Sequence, residues 1–452
     1  MANESFQGNR QTDSTCRLLV RKAIWTLFAV VAAISVRANA GETYYLTTGG
    51  KYVLCDASGW SKEDGTAAGG AGDPLGSEDT FVIRGNKSLR TVNSNSASAS
   101  QTFTGAKLQV GDLTQSGNNA KGKIYHYSGK DCVIDYGSRK LVLQYADYQF
   151  ENAKKCHFSV CGDITIEGSA SQKSCVCNYV GYNDQDVTWQ GSLIGGSSAY
   201  LQVGVSTART AEGDKSFRLI FTGATTDFAG TIDVVAPAPS DTAPDFHQVL
   251  GLAGTVSGTV NLTTQNAVLA IADQSLSVGT LVLADKSGLE FGDLSGLTVT
   301  TLYSSSGTVD LFFPDMSKIV TKDGAIHRIP LMTVPNGTNL DKDTFRIADA
   351  AMATVATLDV DQTGQGETLV LVQRALYANE FQLTSDANDK TLNLPENALA
   401  NAYYWEDANG SRGAEHAALN PAAAYCLRQN RTLRTPNSNE SSQSLTFEGG
   451  KL

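Results

Sequence analysis

Nine aromatic residues crowd one stretch of the chain: Tyr125, Tyr127, Tyr136, Tyr145, Tyr148, Tyr179, Tyr182, Trp189 and Tyr200. Exposed rings hold sugars by stacking on their faces. This stretch is therefore the candidate for glycan recognition, with Tyr145, Tyr148, Tyr179, Tyr182 and Trp189 as the stacking residues. The same rings serve equally well inside a β-rich core or along its sheet face. The spacing Tyr145-Ala146-Asp147-Tyr148 does not say which face they take, and the structural use is the expectation. Four cysteines cluster beside them, Cys156 and Cys161 as C-x4-C and Cys175 and Cys177 as C-x-C. Zinc favours C-x2-C pairs or added histidines, and His157 is the one histidine near the cluster. No metal is therefore expected there. Cys156 and Cys175 stand about one solenoid turn apart, which lets the four stack or pair on neighbouring turns.

Catalytic chemistry is poorly represented. A polysaccharide lyase or hydrolase needs paired carboxylates, or a Lys or Arg base beside calcium-binding acids. Here the acidic residues are scattered, and neither H-E-x-x-H, G-x-S-x-G nor a P-loop occurs. His126, His157, His247, His327 and His416 stand alone in sequence. Asp359-Val360-Asp361-Gln362-Thr363-Gly364 resembles the start of a calcium loop, but no glutamate closes it at the required distance. The expectation is no catalytic residue, no cofactor and no metal.

The elements that must carry these residues are short strands. Phe81-Val82-Ile83, Leu108-Gln109-Val110, Cys132-Val133-Ile134, Leu141-Val142-Leu143 and Ile164-Thr165-Ile166 open the series. Leu201-Gln202-Val203, Leu219-Ile220-Phe221, Ile232-Asp233-Val234, Val260-Asn261-Leu262 and Leu269-Ala270-Ile271 continue it. Leu281-Val282-Leu283, Leu289-Glu290-Phe291, Leu297-Thr298-Val299 and Val309-Asp310-Leu311 follow. Most are short apolar or alternating runs bounded by Gly, Asn, Asp or Ser. With 43 glycines against 10 prolines and only 18% charged residues, the composition is that of many turns joining many strands. No clear linker divides 41–375 into sandwich-sized domains. A solenoid needs only that each turn cover its neighbour's apolar face, and it tolerates uneven loops. The expected fold is therefore all-β, a right-handed parallel β-helix. Pro237 to Pro244 reads as a loop protruding from the stack.

A long motif occurs twice. Leu75, Phe81, Arg84, Asn86, Leu89-Arg90-Thr91, Asn93-Ser94-Asn95, Phe103, Gly105 and Lys107-Leu108 align without a gap on residues near the C-terminus. Their partners are Leu419, Tyr425, Arg428, Asn430, Leu433-Arg434-Thr435, Asn437-Ser438-Asn439, Phe447, Gly449 and Lys451-Leu452. Trp60 falls opposite Trp405 after one insertion. By propensity the Ala-rich run 414–424 would pass for helix. The repeat overrules that for Tyr425-Cys426-Leu427, which sits opposite the strand-like Phe81-Val82-Ile83. The expected organisation is a signal peptide at 1–40, a passenger-like β-helix at 41–375, a connector at 376–401, and the truncated start of a second unit at 402–452.

The address is read from the N-terminus. Arg17, Arg21 and Lys22 precede an apolar run from Ala23 to Val36, and Ala38-Asn39-Ala40 follows. That is the form of a signal peptide cleaved after Ala40. The run is shorter than a membrane span needs, and none is expected in the mature chain. Seven cysteines would remain, an odd number, in a compartment that permits disulfides. A formal net charge of −11 and a pI near 5.0 argue against nucleic acid as the partner.

Residues 217–234 add a resemblance. Leu219, Phe221, Gly223, Phe228, Gly230 and Ile232 resemble the autotransporter-associated β-strand repeat, with Asp227 and Ala229 departing from its commoner choices. Ser277 to Leu283 and Arg328 to Met332 are similar to later rungs of the same passenger-like proteins. The resemblance implies a pectin-lyase-like β-helix exported to a bacterial surface. The functional expectation is a structural or adhesive secreted or outer-surface protein without catalytic activity. The alternatives are a glycan-binding module and, behind it, a polysaccharide lyase or hydrolase. Partners would be extracellular polysaccharide or other surface proteins, and an uncapped strand edge at 445–452 would favour self-association.

Overall fold

The computed structural model describes residues 41–47, 50–51, 54, 56–90, 100–138, 140–152, 156–178, 185–204, 216–223, 226–239, 246–292, 296–304, 307–314, 326–350, 352–364, 366–374, 380–384, 399, 401–407, 410–427, 433 and 446–452. The expected signal peptide, Cys55, Tyr179 and Tyr182 lie outside these residues. The described chain is all-β apart from isolated single turns of helix, and most of its strands belong to one large, mostly parallel sheet. Each of the fourteen short runs expected as strands lies within a strand.

Pairing follows a rule of three. Thr80–Ile83 pairs with Lys107–Val110, which pairs with Lys140–Leu143, then Ile164–Ile166, then Leu193–Gly195, all in parallel. Between successive members of this first ladder the chain contributes one strand to a second ladder and one to a third. Lys87–Arg90, Gly122–Ser128, Ala146–Asn152, Ser174–Asn178, Tyr200–Gly204 and Thr231–Val235 make the second. Cys132–Asp135, His157–Cys161, Gln185–Gln190 and Ser216–Phe221 belong to the third. His247–Leu262 and Ala267–Leu283 are long enough to bend through all three ladders in turn. This arrangement is consistent with a β-solenoid.

Register decides what faces inward. Leu89, Ile124, Tyr148, Val176, Val203, Val234 and Leu262 form one column in the second ladder, each paired to the next. All are fully buried. The alternating partners Ser88, Lys123, Asp147, Cys175, Gln202, Asp233 and Asn261 form the neighbouring outward column. Because a strand's side chains alternate with period two, one set of pairings fixes both columns. A single apolar core runs from Leu46 to Leu371.

Glycine makes the corners. An added Cβ on Gly191 would meet the Gly162 carbonyl oxygen at 2.0 Å, and one on Gly223 would meet that of Gly191 at 2.3 Å. Successive turns of backbone approach too closely there for any side chain.

Both ends of this core are covered by antiparallel pairing. At the C-terminal end Ile326–Val334 pairs antiparallel with Gly366–Arg374, which pairs antiparallel with Ala356–Thr363. At the N-terminal end Thr43–Leu46 pairs antiparallel with Trp60–Ser61 and parallel with Thr80–Ile83. Trp60 closes over Phe81, ring centroids 5.2 Å apart and nearly perpendicular at 78°.

Glu380–Leu383, Trp405–Glu406 and Ala424–Cys426 form a separate three-stranded sheet over a separate core of Leu383, Trp405, Leu419 and Tyr425. Glu380–Leu383, within the stretch expected as a connector, is one of its strands. It pairs antiparallel with Trp405–Glu406 and parallel with Ala424–Cys426, as Thr43–Leu46 does with Trp60–Ser61 and Thr80–Ile83. Trp405 meets Tyr425 at 5.0 Å and 75°, and Phe381 stacks on Tyr425 at 5.4 Å as Tyr44 does on Phe81 at 5.6 Å. The sequence repeat is thus a repeated cap.

Candidate functional site

The candidate glycan-stacking rings divide. Tyr148 and Trp189 are 0% exposed. They point inward because Tyr148 shares its strand face with Ala146 and Phe150, while Asp147 and Gln149 take the other. Tyr148 packs against His126, Phe150 and Trp189, and Trp189 stacks on Phe221 at 5.5 Å. The Trp189 indole N–H donates to the Gly162 carbonyl at 2.7 Å. The assignment of these two rings to sugar stacking is therefore corrected: no ligand reaches them. Tyr145 is half-buried, with the Lys121 ammonium 5.5 Å from its ring centroid.

Inside the core the Tyr148 hydroxyl lies 2.8 Å from His126 Nε2 and 2.9 Å from the Tyr136 hydroxyl. Burial pulls the His126 imidazole down to a pKa of about 3. Burial likewise raises the Tyr136 and Tyr148 phenols. All three are neutral at ordinary pH, and the chain ties His126 Nε2 and the two hydroxyls together where water does not reach, leaving His126 Nδ1 without a hydrogen-bond partner.

The cysteines do not meet. Cys175 lies in register with Asp147 and Gln202, Cys177 with Gln149, and Cys161 with Asp135 and Gln190. Cys156 directs its thiol at the Ser128 carbonyl, 3.6 Å away, and Cys161 at Gln190 Oε1, 3.4 Å away. Cys161 and Cys175 are free thiols. The expected stacking or pairing on neighbouring turns fails because Cys175 and Cys177 sit on the second ladder and Cys161 on the third. Loop length, not residue count, sets which ladder a cysteine reaches.

Asp359 and Asp361 converge on a cation already in the chain. Arg328 donates to Asp359 at 2.7 Å and also bonds Asp361. Among the described residues no group of three or more His, Cys, Asp or Glu could hold a metal ion. No described helix is long and apolar enough to cross a membrane.

A concavity lies in the first cap. A cleft of about 470 Å³ is bounded by Tyr45, Leu46 and Thr47 on one strand and by Ser61, Lys62 and Glu63 on the next. Arg84, Gly85 and Lys87 on a turn, with Gln115 and Asn119 on a loop, complete it. The turn forms because Gly85 and Asn86 both take left-handed conformations, φ 70° and 56°, which brings Lys87 N–H to the Arg84 carbonyl at 3.3 Å. Both cations consequently reach the cleft.

Arg84 is fixed on three sides. Its guanidinium lies 3.8 Å from the Tyr45 ring centroid and donates to Asp112 at 2.7 Å and Glu63 at 2.6 Å. Burial pushes the Asp112 carboxyl up, but hydrogen bonds from Thr114 and Arg84 outweigh it and leave the group below the usual carboxylate range. Lys87 Nζ donates to the Leu46 carbonyl at 2.8 Å. Lys62 pairs with Glu42 at 3.1 Å, a contact that raises its pKa. Three cations and one carboxylate, Glu63, therefore line the cleft of an acidic protein. Of these residues only Arg84 belongs to the doubled motif of the sequence, and nothing there marked it as part of a site. The one signal available was the repeat itself, since comparing its two copies exposes where the cap tolerates change. No protein-family model matches the chain, and no curated protein matches it either.

Proposed function

We propose that this chain is an exported structural or adhesive protein of the cell surface or extracellular space, working through length, rigidity and display and without catalytic activity. Its body, on this reading, is a right-handed parallel β-helix of the passenger-like type. The observation that carries the reading is the in-register core from Leu46 to Leu371, in which the large aromatic side chains, Tyr148 and Trp189 among them, are spent on stacking one turn upon the next. Burying such rings is worth several kcal/mol each in stiffness and stability. The glycine corners support it, because Gly223 and Gly230, two residues of the resemblance, are positions where a Cβ would strike the preceding turn at 2.3 Å and 2.1 Å. The second cap at 380–451 supports an array of like units.

About ten pairings in the first ladder, at about 4.8 Å each, give a rod about 50 Å long. Negative-stain electron microscopy and small-angle scattering of the secreted chain should return that length. Because a compact globule of this mass is itself about 50 Å across, the cross-section decides: one well below that length supports the rod, and one equal to it would refute it. A polysaccharide array scored for reducing and unsaturated ends should show no turnover; product formation would refute the non-catalytic assignment.

A further inference from the structure

We propose that the cleft of the first cap binds an anionic saccharide, and that the second cap, built on the same frame, does not. The site needs only the cap geometry and holds whether or not the body acts as a rod.

The two caps form an internal control. Residues that build the cap recur: Leu46 and Leu383, Trp60 and Trp405, Leu75 and Leu419, Phe81 and Tyr425. So do the turns, since Lys62 N–H bonds the Thr66 carbonyl at 2.8 Å and Asp407 N–H bonds the Ser411 carbonyl at 2.9 Å. Gly65 and Gly410 then close back on Lys62 and Asp407, each at 3.0 Å. These bonds equate Lys62 with Asp407, and the strand registers equate Tyr45 with Gln382 and Ser61 with Glu406. At these positions the lining has changed where the frame has not; Arg84 and Lys87 keep basic counterparts in sequence, Arg428 and Arg431, which lie outside the described residues. Tyr, Ser and Lys in the first cap stand where Gln, Glu and Asp stand in the second. Lys62 and Tyr45 are thus not required to fold a cap, and their presence at the cleft calls for another explanation.

The lining specifies the ligand class. Lys62 and the Arg84–Lys87 turn present positive charge from two segments; Glu63 lines the cleft with them and holds Arg84 together with Asp112, and Glu42 holds Lys62. Fixed cations in a concave site read a carboxylate or sulfate with little reorganisation. Ser61, Gln115 and Asn119 offer hydroxyl and amide groups on the same wall, which suits a ligand carrying several hydroxyls. A volume of about 470 Å³ accommodates one or two sugar rings. A uronic acid and a sulfated sugar share this chemistry.

The test is equilibrium binding to the full secreted chain by titration calorimetry, with digalacturonate, a sulfated disaccharide, neutral galactobiose and sodium sulfate as separate ligands. At least one anionic disaccharide should bind, the neutral one should not, and affinity should fall as salt rises. Lys62→Asp and Tyr45→Gln, which install the second cap's residues, should each weaken binding at least tenfold while the thermal midpoint stays within a few degrees. Whichever of the two anionic disaccharides binds names the charged group. Equal binding of galactobiose, retention of affinity in both variants, or no binding of either anionic disaccharide to the folded chain would overturn the proposal. Sulfate binding as tightly as the disaccharides would overturn the saccharide assignment.

Discussion

Replacing His126 by Phe should remove most of an acid sensitivity that the core builds in. His126 is fully enclosed between Tyr148 and Phe150, ring centroids 5.0 Å and 5.9 Å away. Its folded pKa of about 3 lies below the value of 6.5 expected when the chain unfolds. The native state therefore holds the ring neutral while the unfolded chain takes up a proton. Its contribution is fully present above pH 6.5 and is lost as pH falls towards 3. The difference amounts to about 2 kcal/mol at pH 5 and about 4 kcal/mol at pH 3. In His126→Phe that component is absent, and the Tyr148 hydroxyl keeps its Tyr136 partner. Urea unfolding followed by tryptophan fluorescence, at pH 7.5, 6, 5 and 4, measures both proteins. Carboxylates titrate in both and cancel in the comparison. The wild-type stability should fall relative to the variant by about 1.4 kcal/mol for each pH step below 6.5. Parallel pH profiles would refute the buried neutral histidine.

Three further perturbations test the packing. Trp189→Ala should cost about 3 to 5 kcal/mol in urea unfolding, through loss of its stack on Phe221 and of a buried N–H bond; a wild-type midpoint would place the ring at the surface after all. Gly230→Ala sets a Cβ 2.1 Å from the Ala199 carbonyl oxygen and should cost about 1 to 3 kcal/mol, whereas Gly196→Ala, with open space around it, should be nearly silent. Arg218 spans the buried Val249 and Val268 to pair with both oxygens of Glu290, at 2.9 Å and 2.6 Å. A double-mutant cycle with Arg218→Met and Glu290→Gln should give a coupling of about 1 to 2 kcal/mol, and additivity would count the pair as decoration.

The strands, their parallel stacking and the doubled motif are legible in the sequence because they rest on local physics. Alternating apolar residues bounded by glycine and asparagine leave few choices other than short strands, and a long gapless repeat such as 74–108 and 418–452 must fold the same way twice. That logic placed a strand at Tyr425 against its Ala-rich surroundings, where Ala424–Cys426 forms one. Three things required the tertiary structure. The face taken by Tyr148 follows from a register of pairing with Ile124 and Val176, residues far away in the chain, and one residue of slip would have turned the ring outward. The separation of the cysteines depends on which ladder each loop delivers its strand to. The cleft gathers Tyr45, Lys62, the Arg84–Lys87 turn and Asn119 from four segments with no fixed spacing between them. Periodicity is a property of neighbours along the chain and can be read there; a site made by loops meeting at one end of a stack exists only once the stack has formed.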